Sequence, residues 1–155
     1  MNTITEEELA AHGVWMASNG VEGARMEKTG SNLSSASLAG LNAPKAHFIG
    51  TTLSGADLSG AELPEIDCSG ATFTGANLSK ANLKNADLSG VTLDEVDFTG
   101  ADFSGADMSG ATLINANLTN AKLIGADLIA ANLTGSKRDG ADLTDAILSD
   151  TMGLD

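Results

Sequence analysis

Two imidazoles, His12 and His47, one thiol, Cys68, many serine and threonine hydroxyls and 21 carboxylates are the groups in this 155-residue chain that could do chemistry. A nucleophilic serine needs a base within hydrogen-bond reach, and recurrent serines such as Ser54, Ser59, Ser79 and Ser89 outnumber the bases that could serve them. One cysteine allows no internal disulfide, and with two scattered histidines it leaves no zinc cluster of familiar spacing. Cys68 therefore reads as a small core residue. Asp67, Asp87, Asp107 and Asp127 recur at intervals of 20 residues. A straight column of that kind offers one or two oxygens per level, whereas calcium wants six or more that converge. The glycines follow a regular spacing without Gly-Lys-Ser/Thr, so no phosphate loop is present. The expectation is a chain with no catalytic residues, no metal and no cofactor.

The elements that carry these groups are set by composition and spacing. A hydrophobic content of 42% suffices for a core, and mean hydropathy near zero excludes a disordered acidic tail. A net charge of −13 disfavours direct capture of nucleic acid or of an anionic membrane. The first residues run Met1-Asn2-Thr3-Ile4-Thr5-Glu6-Glu7-Glu8, acidic where a secretion signal is basic, and no stretch of about 18 apolar residues occurs. A cytoplasmic protein is expected.

From Ser31 the sequence divides into fives without a slip: SNLSS, ASLAG, LNAPK, AHFIG, TTLSG, ADLSG and onward to AILSD. The third place is Leu, Phe, Met or Cys except at Ala43 and Arg138, and the first is nearly always small or apolar. Neither the helical period of 3.6 nor strict strand alternation stays in phase with such a pattern. First and third places must share an inward face, as alternate residues of an extended segment do, and the Gly- or Asn-rich fifth place supplies a bend. Each unit is one short side and one corner.

This register resembles the pentapeptide-repeat family, written A(D/N)LxX, over about four fifths of the chain. The resemblance implies an all-β fold, a right-handed quadrilateral β-helix with four units per coil. Columns on a 20-residue spacing agree with it: Thr52, Thr72, Thr92 and Thr112; Asp67, Asp87, Asp107 and Asp127; Pro44 and Pro64. Residues 31–150 then make about six coils, a rod roughly 29 Å long at a strand spacing of about 4.8 Å. The run His12-Gly13-Val14-Trp15 followed by Gly23-Ala24-Arg25 is similar to the lead-in before the repeats of some bacterial members.

Both ends of such a rod need cover. Residues 1–20 are expected to form a short α-helical cap, with Thr5 and Glu8 as a capping box, Leu9, Val14 and Trp15 toward the first coil, and Asn19-Gly20 as the stop. Residues 21–30 are expected to be an irregular entry turn, because Gly23 and Lys28 fall at centre places. Residues 151–155 form a tail. Arg138 is expected to turn out to solvent in a local bulge; the other reading is an inward cation paired across a dimer or with a partner. Ile147, Leu148, Met152 and Leu154 make an apolar end that either folds over the last coil or meets a second copy, as tail-to-tail dimers of the family do.

Function is expected from surface rather than pocket. Residues 91–155 hold eleven acids against Lys122, Lys137 and Arg138. Asp67, Asp87, Asp107 and Asp127, with Ile124 and Ile129 as an outward apolar pair, are the candidate partner surface. The first reading is a non-enzymatic scaffold that presents a rigid acidic face to a protein partner. The alternative comes from the resemblance, which implies a DNA mimic that occupies the basic groove of DNA gyrase, as quinolone-protection members are thought to do.

Overall fold

The computed structural model describes residues 3–155, so the first two residues of the expected cap lie outside it. One helix, α1, spans Glu6–Ala17. Its start is fixed chemically: the Glu8 amide donates to Thr5 Oγ1 at 3.1 Å and the Thr5 amide donates to Glu8 Oε2 at 2.8 Å. Three glutamates in the first turn complement the helix dipole. After Ser18 the chain leaves the helix through left-handed Asn19 and Gly20. Gly23 passes so close to α1 that a Cβ there would lie 2.4 Å from the Ala11 carbonyl oxygen. That approach requires glycine at φ +76°.

From Glu27 onward each second-place residue pairs in parallel with the residue 20 positions later, from Glu27 with His47 to Asn132 with Met152. The units therefore stack in columns, and the chain winds as a β-helix. Its backbone bonds can be followed in one unit, Ala56-Asp57-Leu58-Ser59-Gly60. Ala56 N–H bonds back across the corner to Leu53 O at 3.0 Å, and Asp57 N–H bonds down to Ala36 O at 2.9 Å. Leu58 and Gly60 N–H bond up to Asn77 O at 2.7 Å and Ser79 O at 2.8 Å. The fifth residue of the unit sits at positive φ, Gly60 at +63° and, without glycine's freedom, Ala130 at +56°.

First and third places point inward. Leu53, Leu58, Phe73, Phe98, Phe103 and Leu128 are among those almost wholly buried, in one continuous apolar column. Phe98 and Phe103 meet edge to face, ring centres 4.8 Å apart at 78°. Cys68 is buried in the same column, and burial, with Asp67 and Asp87 nearby, pushes its thiol far above the usual range.

The ends depart from expectation in four ways. The register starts earlier than Ser31: Met26 to Gly30 already form a unit, with Lys28 in an inward centre place and 7% exposed. Burial of this cation is possible because the first coil opens onto α1, where Glu8 reaches it. Leu9 and Val14 are exposed and Trp15 is half-buried, so it is His12 that α1 buries against the coil. Arg138 makes no bulge. Lys137 keeps its ladder to Asn117, and Arg138 stays half-buried at the centre place, its Nη1 donating to the Gly153 carbonyl at 2.7 Å. The same coil register carries on into residues 151–155 through Met152.

Candidate binding surface

The outward second place does structural work first. In a five-residue unit the fourth-place amide has no backbone partner, and where the second place is Asp or Asn its side chain takes it. Ser69, Ser89, Ser109 and Ile129 N–H donate to Oδ1 of Asp67, Asp87, Asp107 and Asp127 at 2.9–3.0 Å. Asp57 does the same for Ser59, and Asn77 for Ser79. Where the fourth place is proline there is no amide to satisfy, and Asn42 and Glu62 stand before Pro44 and Pro64. These bonds hold the Asp57 and Asp142 carboxyls below the ordinary carboxylate range, the Ser59 amide and the Thr144 hydroxyl being their main causes.

What differs between columns is how the charge is answered. Asp57 and Asp97 each stack against an asparagine, whose Nδ2 donates to them from Asn77 and Asn117 at 3.2 Å. Glu62 receives Asn82 Nδ2 at 2.7 Å, and Asp102 lies within 3.4 Å of Lys84 and 3.8 Å of Lys122. Partial burial pulls the Asp102 carboxyl upward, but Ser104 and Lys84 outweigh it and leave it lowered. In the column between Glu62 and Thr72, Asp67, Asp87, Asp107 and Asp127 ladder on one another directly. Among the described residues none of the four makes an ion pair. Neighbours about 4.8 Å apart repel by about 1 kcal/mol even at the dielectric of water.

This column meets His47 at one end and Ile147 at the other. His47 faces Glu27 instead of forming a dyad with a serine, Nδ1 to Oε1 at 3.2 Å. Ile129 lies within the Asp column's own units and is 38% exposed, whereas Ile124, 39% exposed, belongs to the preceding unit. At the C-terminal end Ile147, Met152 and Leu154 are exposed, and Leu148 packs partly against the core.

The description of the pentapeptide repeats matches eight copies here, over residues 31–65, 53–90, 76–113 and 111–150. The chain belongs to the pentapeptide-repeat family. Its fold is that family's right-handed β-helix. A solved pentapeptide repeat protein from the cyanobacterium Cyanothece 51142, Rfr23, is 24% identical over 94% of this chain and 99% of its own, with a TM-score of 0.62. Another, from the Arabidopsis thaliana thylakoid lumen, is 29% identical over 65% of this chain and 67% of its own, at 0.51. QnrB1, a plasmid-mediated fluoroquinolone resistance protein, is 24% identical over 81% of this chain and 72% of its own, at 0.42. No curated protein matches the chain. Among the described residues no helix is long and apolar enough to cross a membrane.

Reasoning from sequence missed Lys28 and His12 as junction residues. The signal for Lys28 was available, since it stands in a centre place three residues after Arg25 and in phase with Leu33. For His12 there was none, because helix docking depends on the path of residues 18–25.

Proposed function

We propose that this pentapeptide-repeat protein is a non-enzymatic scaffold, four-sided in section, that presents the Asp67, Asp87, Asp107 and Asp127 face to a protein partner bearing cations. One observation carries this reading: acids on the other acidic columns are matched by Asn or Lys, and those on this column stack acid on acid. A partner's lysines or arginines would relieve that repulsion, and Ile129 and Ile124 would add apolar contact beside it. The test is retention of partners from a lysate by the native chain and by an Asp67/Asp87/Asp107/Asp127→Asn chain, which keeps every turn acceptor. Salt-sensitive retention lost in the second, and kept in an Asp57/Asp97→Asn control, is the expected result. Equal retention by all three ends the proposal.

The same column favours a second reading, a DNA mimic acting on gyrase, since a linear array of unanswered anions has the sign of a phosphate backbone. Inhibition or protection of gyrase supercoiling at micromolar protein separates it from the scaffold. An end-to-end homodimer through Ile147, Leu148, Met152 and Leu154 belongs to either reading, and sedimentation of a Met152→Asp/Leu154→Asp chain as monomer beside a dimeric native chain checks it.

A further inference from the structure

The junction between α1 and the first coil closes on an imidazole. In regular units the first-place amide donates back across the corner to the preceding centre carbonyl, as Ser31 does to Lys28 at 2.9 Å and Ala36 to Leu33 at 3.1 Å. Met26 opens the first unit, and with no regular unit before it the amide makes no such bond to Gly23. Its amide donates instead to His12 Nδ1 at 3.0 Å. His12 is 1% exposed. A ring nitrogen that accepts an N–H carries no proton, so His12 is neutral with its proton on Nε2. Nε2 is buried, turned toward the Pro44 carbonyl without reaching hydrogen-bond geometry.

We propose that His12 is an acid-operated latch: a proton taken by Nδ1 breaks its bond to the Met26 amide and releases α1 from the first coil, baring the N-terminal edge of the β-helix.

The surroundings of the ring do not welcome a cation. From α1 it is faced by Glu8 one turn earlier, but that carboxylate is held by Lys28 Nζ at 2.7 and 2.8 Å. From the segment after α1 comes Arg25, whose guanidinium lies 5.4 Å from the Trp15 ring centre, with that ring in turn stacked on His12 at 5.7 Å. From the coil come Lys28 and, beyond Trp15, Lys45 beside Met16; Glu27 is already shared between Arg25 and His47. Burial, with a smaller push from Arg25, holds the imidazole below its ordinary value of 6.5. The released state, with His12 in water, binds the proton more readily, so the closed state is fully favoured above about 6.5 and loses ground below it.

The chain supplies its own reporter, because Trp15 is the one tryptophan and stacks on the latch. As the full-length protein is taken from pH 8 to pH 5, Trp15 emission is expected to move to the red and its quenching by acrylamide to rise. The open-to-closed ratio should grow toward tenfold per pH unit below about 6.5, while the β signal of the coils stays constant. His12→Asn, whose Oδ1 can still take the Met26 amide, is expected to stay closed throughout, and His47→Gln to respond like the native chain. An unchanged native emission over this range, or an undiminished response in His12→Asn, overturns the latch. If His12→Asn is already open at pH 8, native-chain NMR decides. The Met26 amide signal should shift or vanish as His12 titrates, and a Met26 amide indifferent to that titration refutes the proposal.

Discussion

Lys28 Nζ and Glu8 Oε1 stand 2.7 Å apart across the junction of α1 and the first coil. Lys28 Nζ also donates to the Thr3 carbonyl at 2.9 Å. The lysine bond, followed by the Thr5 amide, holds the Glu8 carboxyl below its ordinary value of 4.5. A carboxyl lowered in the folded state stabilises above its unfolded value and loses that contribution as pH falls through the folded one. Cap docking should therefore weaken further below about pH 4.5. Glu8→Gln keeps the capping box and should remove this lower step, at a cost of about 1 kcal/mol near neutrality for a half-exposed pair. Circular dichroism of the helix against pH measures both.

Phe98 and Phe103 fill the core from adjacent sides of one coil with no exposure, ring against edge. Phe98→Ala is expected to lose about 3–5 kcal/mol, and the Phe98→Leu/Phe103→Leu cycle to show a coupling of about 0.5–1.5 kcal/mol. Urea unfolding of the four proteins gives the coupling directly.

Asp87 accepts from Ser89 N–H at 3.0 Å and from Ser89 Oγ at 2.6 Å. Asparagine can take the amide bond without the charge; alanine cannot. The expected order of stability in low salt is Asp87→Asn above native above Asp87→Ala, with alanine about 1 kcal/mol below asparagine. Since repulsion from Asp67 and Asp107 is screened, the gain of asparagine over native should disappear near 1 M salt. Thermal melts at two salt concentrations test it.

Ala130 holds φ +56° at a corner where most columns place Gly or Asn. Relief of left-handed strain, about 1–2 kcal/mol, exceeds the extra chain entropy that glycine costs, about 0.4–1 kcal/mol. Ala130→Gly should raise the urea midpoint by the equivalent of about 0.5–1 kcal/mol without changing the slope.

The winding of the chain was legible because it is a local rule repeated. Leu at a third place and Ala at a first place mean the same thing in every coil, and Thr72 under Thr92 or Asp67 under Asp87 follows from counting 20. The columns named from the sequence are neighbours in space for that reason. The meaning of an individual Asp was less legible: it reads as charge, and only the paired geometry shows Oδ1 committed to the amide two residues on while Asp107 stacks on Asp87 with no Asn or Lys between.

By itself, then, the sequence determined the period, the inward core from Leu33 to Leu133 and the aligned Asp ladder, because stacking identical units leaves each residue one environment. The tertiary structure alone decided the ends. There the stacking rule has no neighbouring coil to supply partners, so Met26 turns to His12, Lys28 to Glu8 and Arg138 to Gly153. Met26–His12 and Arg138–Gly153 lie 14 and 15 residues apart, off the coil spacing of 20, and Glu8, 20 residues before Lys28, stands on the helix outside the repeat.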